Sequence, residues 1–430
     1  MTEKWSFVLF LVFIAFGFLN KRFAFYFLLL FLPFYAFLIT AFQHFTGLSQ
    51  ESILGLRLIK EGIVLGFFVF LIWYWFKRRE KIRFYISDLF ICTYLLVLLI
   101  TGFAHHSSIK EFFFGLRYDF FFFLYYFIFR LFFGFYPRER FRALNIIFLT
   151  AIIVFIFALL QFFVLPKDFL IAFGYLPQAL AEYNPDLPIP AFHLLGDSEI
   201  LRVQSFFAGP NQLSSFCLII IFLTLPFLFE RKNKVLPFLS FILGLGVLVL
   251  TFSRSAWIGL ILGMILFGFF VLKKSPFVSI SIFSAIVAGL TAAICLFRDK
   301  LYEIFVRPSS SVWHWTSLKY ALAELLGQPF GIGLGKVGPA SQWLKKPVIS
   351  ENYYLQIGLE SGFIGLILFL ASFFVLLSDL SNQKTIQAFA VFSLTIALLV
   401  SSFFLHTLAD GVLAIYFGIA LALGQTKENR

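Results

Sequence analysis

Apolar runs of membrane-crossing length recur from one end of this chain to the other, and that recurrence narrows what it can fold into. A helical crossing takes roughly 20 apolar residues. Such runs occupy 5–19, 23–42, 60–76, 84–103, 112–136, 143–165, 204–229, 235–251, 255–272, 277–297, 354–378, 386–405 and 408–424. The first is short, and little more than His406 and Thr407 separates the last two, so 12–13 transmembrane helices are expected. Of 430 residues, 61% are hydrophobic and 67 are Phe, more apolar surface than a water-facing fold could hide. Lipid offers no partner to a backbone N–H or C=O, so the fold class is an all-α polytopic membrane protein. Its parts are a transmembrane bundle (1–297), one long helical loop (298–353) and C-terminal transmembrane helices (354–430).

The net charge of +12 does not point to nucleic acid, because most of it sits in short loops. Residues 77–83, 137–142, 230–234 and 273–274 hold five, three, three and two Lys/Arg. All fall on one side of the spans, which the positive-inside rule assigns to the cytoplasm. Loops 104–111, 166–203, 252–254 and 298–353 fall outside. The N-terminus is outside if there are thirteen spans and inside if the first run does not cross. That run is followed by Asn20, Lys21 and Arg22 rather than small residues, so it reads as retained. The three cysteines lie in apolar runs without metal spacing and read as packing residues.

Chemistry-bearing residues gather on the outer side. Arg117, Arg202, Arg254 and Arg307 stand where positive charge is normally depleted, and a guanidinium fork suits phosphate oxygens. The bland alternative is snorkelling or a local pair, such as Arg117 with Asp119. Arg57, Lys60, Glu61, Asp119 and Arg130 lie near span ends and read as snorkelling too. Within the long loop, Ser309–Ser311 caps an expected interfacial helix over 312–326, stopped by Gly327 and Pro329. His314 on that helix is a base or a phosphate donor, or simply a surface His. Glu351 is a proton acceptor or a helix-start carboxylate; Ser350 or Asn352 is the cap. The run GQPFGIGLGKVG follows no strand and reads as a tight return to the membrane rather than a nucleotide loop. His105 and His106 have no ligating neighbour at metal spacing, so neither a metal nor a cofactor is expected.

FAGPNQLSSF, TFSRSAWIGLILG, PFGIGLGKVG and ENYYLQIGLESGFIGLILFL occur in that order. Together they resemble the O-antigen ligase/polymerase superfamily of bacterial envelope glycan enzymes, over about residues 200–425. The resemblance implies a GT-C-like fold and a metal-independent, inverting glycosyltransferase on the periplasmic face of the bacterial inner membrane. Its donor would be a polyprenyl-diphosphate-linked glycan and its acceptor a glycan or a lipid-linked chain. A chain-length regulator or a flippase would be its partner. Arg254 and Arg202 are the strongest implied diphosphate ligands, with Arg117 similar to an arginine of an earlier span. O-antigen ligases usually carry His before the Asn of the last motif. This chain has Glu351 there, which resembles polymerase-like members. The implied function is joining of lipid-linked repeat units, with Glu351 or His314 as the base, Trp313, Trp315, Tyr353 and Tyr354 as aromatics that stack on sugars, and Asn352 and Asn211 as polar contacts to the glycan. Transfer to lipid A core, protein or another envelope acceptor stays open, as does a lipid-linked oligosaccharide flippase with no bond-making.

Overall fold

The computed structural model describes residues 2–79, 83–177, 189–195, 199–229, 234–272, 284, 291, 295, 308–341 and 350–425. Its helices are α1 (Thr2–Leu19), α2 (Lys21–Phe31), α3 (Tyr35–Thr46), α4 (Gln50–Arg57), α5 (Ile59–Arg78), α6 (Ile86–Ala104), α7 (Ile109–Asp119), α8 (Phe121–Phe135), α9 (Glu139–Phe163), α10 (Pro210–Leu228), α11 (Val235–Leu250), α12 (Arg254–Leu272), α13 (Pro308–Gly327), α14 (Gly338–Ser341), α15 (Tyr353–Asn382), α16 (Ile386–Ser401) and α17 (Gly411–Gln425). Two short strands, β1 (His193–Leu194) and β2 (Leu201–Arg202), form an antiparallel ribbon. The protein is an all-α polytopic membrane protein.

Among the described residues, seven helical segments are long and apolar enough to cross a membrane, and α7 with α8 makes an eighth if that bent pair is one span. Phe7–Leu19, Val235–Leu250, Ile386–Ser401 and Gly411–Gln425 are shorter apolar helices. A 16-residue helix such as α11 measures about 24 Å, against a hydrocarbon core of about 30 Å. Among the described residues the seven long helices, the bent pair and the four short helices thus fall on twelve of the expected runs, the short ones holding only 13–16 residues of apolar helix. The tenth run, 277–297, lies outside the described residues apart from Ser284, Thr291 and Cys295.

Helix directions agree with those the loop charges require. Gly259 lies on the Ala397 carbonyl and Gly263 on that of Ser393, so α12 and α16 are antiparallel. α1 is parallel to α5: Phe10 and Phe13 meet Gly62, Ile14 meets Gly66, and Phe18 meets Phe70 and Trp73. A Cβ added at Gly66 would stand 2.0 Å from the Ile14 carbonyl oxygen, the close backbone approach that small residues permit between membrane helices. This pairing puts the N-terminus at the same end of the bundle as the long loop, in agreement with the thirteen-run reading.

The end rich in Lys and Arg is tied by buried ion pairs. Arg130 forks onto Asp88 at 2.7 and 2.8 Å and also donates to the Tyr126 hydroxyl at 2.6 Å. Tyr126 in turn donates to Gln425 Oε1 at 2.5 Å, joining α6, α8 and α17. Glu139 accepts from Tyr26 and pairs with Arg22 and Arg142. Arg130, Lys60, Glu61 and Asp119 are all buried, so the snorkelling expected of them is corrected: packing has enclosed them with partners.

Candidate active site

The first cluster is built around Arg202. Its β2 strand pairs with β1 so that Arg202 stands opposite His193. The following segment is held from below, because Gln161 Oε1 accepts from the N–H groups of Gln204 and Ser205 at 3.2 and 2.9 Å. Arg202 Nε donates to the Thr251 carbonyl at 3.0 Å and Nη2 to Asn211 Oδ1 at 3.0 Å. Thr251 is three residues before Arg254, which opens α12. Arg202 therefore ties the ribbon to the start of α10 and to the α11–α12 turn, on which Arg254 sits. α10 starts with Pro210 at its first position, and its N-cap Gly209 supplies no side-chain acceptor. Its leading N–H groups thus favour an anion. His193 Nε2 is buried and has no hydrogen-bond partner among the described residues. Burial, and then the adjacent Arg202 charge, push this imidazole down to about 4.

A second cluster forms where the long loop enters α15. His314 on α13 pairs through Nδ1 with Glu351 Oε2. The sequence singled out these residues separately, and the fold brings them together. The loop helix is described from Pro308, so Ser309–Ser311, expected before it, lie within it. Asn352 is the N-cap of α15: its Oδ1 accepts from Leu355 N–H at 3.0 Å, and its Nδ2 donates to the Phe403 carbonyl at 3.1 Å. Tyr353 is fully buried and donates to the Tyr118 carbonyl at 2.7 Å, so it offers no face to a sugar. Tyr354 donates to the Leu399 carbonyl at 2.6 Å. Both amide atoms of Asn352 and the Tyr353 hydroxyl thus make hydrogen bonds within the protein. Trp315 is exposed, with the Lys319 ammonium over its ring. The side chain of Trp313 and the whole of Arg307 lie outside the described residues.

Arg117 is engaged elsewhere. Its Nε and Nη2 each lie 3.0 Å from Glu61 Oε1, and Lys60 Nζ lies 3.2 Å from the same oxygen. The pairing is with Glu61 on α5, not with Asp119. Asp119 Oδ1 instead accepts from Gln356 Nε2 at 2.7 Å, beneath the 62° bend between α7 and α8.

The Gly-rich return is stitched into α15. Gly362 is non-helical (φ 71°), so the ladder of α15 breaks there. Ile332 N–H donates to the Leu359 carbonyl at 2.7 Å, and Phe363 N–H donates to the Pro329 carbonyl at 2.9 Å. Glu360 accepts from Gly335 and Val337 N–H at 2.8 and 2.9 Å. Sequence reasoning took Glu61 for a snorkelling charge and gave no role to Glu360, His193 or His406. His406 could have been found as a histidine in a turn on the same side as Glu351.

Comparison with known proteins bears on this segment. Residues 239–370 match the family model described as O-Antigen ligase; they run from α11 to the middle of α15 and include Arg254, His314 and Glu351. A protein named ComP-specific O-oligosaccharyltransferase from Acinetobacter baylyi is 29% identical over 241 residues. That match covers 51% of this chain and 42% of the Acinetobacter protein, less than half its length. The segment 239–370 is thus similar to the O-antigen ligase family.

Proposed function

We propose that the chain transfers a glycan from a polyprenyl-diphosphate donor to a hydroxyl acceptor at the end of the bundle that carries the long loop. In a bacterial inner membrane this would be the periplasmic face. One observation carries the reading: Arg202, held by Asn211 and the Thr251 carbonyl, fixes the start of α10 next to the turn that presents Arg254. Two guanidinium groups and a helix N-terminus then form one positively charged cradle, suited to a diphosphate leaving group whose charge grows in the transition state. The acceptor oxygen bonds to the anomeric carbon from the face opposite the diphosphate, with inversion. The carbon–oxygen bond to phosphate breaks, and its electron pair leaves with the diphosphate. The acceptor's proton leaves to a base beside Glu351, which His314 holds in the unloaded site. Arg117, neutralised by Glu61, supports the site rather than binding phosphate directly.

Glu351, standing where ligases carry His, favours the joining of lipid-linked repeat units into polymer. The oligosaccharyltransferase name of the Acinetobacter relative favours a second reading, transfer of a finished glycan to another acceptor. Lipid-linked glycans from a deletion strain, resolved on a gel, separate the two: accumulated single repeats mean a polymerase, and accumulated long chains on the lipid mean a ligase. Arg202→Ala and Arg254→Ala should each abolish transfer at normal membrane levels. Full transfer in both variants would remove the diphosphate cradle.

A further inference from the structure

The turn between α16 and α17 is where the elements of the site converge. It packs against α7, α10 and α16. It receives the Asn352 side chain at Phe403 and the Tyr353 N–H at the Ser402 carbonyl, 3.1 Å each. At its far end an added Cβ on Gly411 would lie 3.4 Å from Arg117 Nη2. Asp410 is occupied as the cap of α17, its Oδ1 accepting from Val412 and Leu413 N–H. His406 stands on this turn with its ring edge-on to Tyr353, centroids 6.3 Å apart.

The surroundings of His406 fix its chemistry. Its imidazole makes a backbone hydrogen bond with Ser350. Nε2 is sealed from solvent and has no partner among the described residues, so the bond to Ser350 is made by Nδ1. Bonding to a carbonyl requires the N–H, which leaves the lone pair on Nε2. Burial holds the ring neutral by pushing it down to about 4, while the nearby Glu351 charge acts in the opposite direction. His314, the other imidazole beside Glu351, is on the partly exposed loop helix and is already paired with that carboxylate.

We propose that His406 Nε2 is the atom that takes the acceptor hydroxyl's proton, with Glu351 stabilising the imidazolium that forms. The inference rests on the glycan-transfer reading above and assigns the proton's destination. The acceptor displaces His314 from Glu351 and brings its hydroxyl to Nε2. As the new glycosidic bond forms and the diphosphate departs with its electrons, the proton passes to Nε2. A buried carboxylate beside a histidine base serves the same purpose in hydrolytic triads.

The test measures glycan transfer in membranes from cells producing His406→Gln, His406→Gly, Glu351→Gln or Arg202→Ala, each at wild-type membrane level. His406→Gln keeps a polar group but no base, and should lose roughly 100-fold in turnover with donor KM unchanged. His406→Gly should be inactive alone and regain transfer when imidazole is added, a recovery that a structural role does not produce. His406→Gln at the wild-type rate, or a His406→Gly variant that imidazole does not restore, overturns the proposal. If Arg202→Ala is inactive in the same assay, His406 alone is displaced. If Arg202→Ala is active too, the transfer reading falls with it.

Discussion

At the scale of single residues, what distinguishes this site is the number of polar side chains buried beside opposite or absent partners. His193 and His406 are both held neutral by burial, near 4 against an ordinary value of 6.5. Above pH 6.5 both are neutral whether the chain is folded or unfolded. Between 6.5 and 4 the unfolded chain takes up protons that the folded one refuses, so stability falls through that window as pH falls. The detergent-solubilised protein should therefore melt at a lower temperature at pH 4.5 than at pH 7.5, and His193→Gln should shrink the difference. An unchanged difference in that variant would show that His193 is accessible to protons in the folded state. Residue types were legible in the sequence because they defied their surroundings: Arg254 and Arg202 are cations where cations are scarce, and Glu351 opens an apolar run. Their partners were not legible. Arg117 meets Glu61 only because α7 packs near the start of α5, a fact of tertiary assembly that no local pattern records.

At the scale of elements, hydropathy located the helices well and their interruptions poorly. The bend between α7 and α8 falls at Phe120, with no Pro or Gly to announce it. The break in α15 does have its signal, Gly362, but it sits in a run that reads as continuously apolar. The loop helix was legible in its stop, Gly327 then Pro329, and less so at its start, since it already includes Pro308 where the reading began it at Val312. The Gly-rich run was read as a tight return, and the structure gives its glycines separate tasks. Gly335 has φ +79°, and an added Cβ would stand 2.1 Å from the Glu111 carbonyl oxygen. Gly335→Ala should therefore destabilise the protein by about 1–3 kcal/mol or more, read as a lower melting temperature and membrane level. Gly327→Ala, where nothing lies within 4 Å, should leave both unchanged. Equal behaviour of the two variants would show that the return is not closely packed in the membrane.

At the scale of the whole molecule, charge and hydropathy set the architecture and left the assembly of the site to packing. The alternation of basic loops gave each span its direction, and the α1–α5 and α12–α16 pairings agree with it. Reporter fusions after Arg138 and after Gly335 should report opposite sides of the membrane; a same-side result would overturn the topology. The three clusters lie at one end of the bundle but come from distant parts of the chain. Arg117 is on α7, Arg202 precedes α10, and His406 lies between α16 and α17, all outside the segment that matches the family model. A reading confined to that segment would see Arg254, His314 and Glu351 without the scaffold that brings the others to them.

The exchange of backbone bonds between the Gly-rich return and α15 limits how this loop can vary. The Leu359 carbonyl and the Phe363 N–H, which an unbroken helix would satisfy within itself, are satisfied by Ile332 and Pro329. Lengthening or shortening the chain between 329 and 337 would strand these groups where water is scarce, at several kcal/mol each. That stretch behaves as a graft, a missing turn of helix supplied from outside. Any drift in loop length among related chains, and any opening over the site, must take place on either side of it.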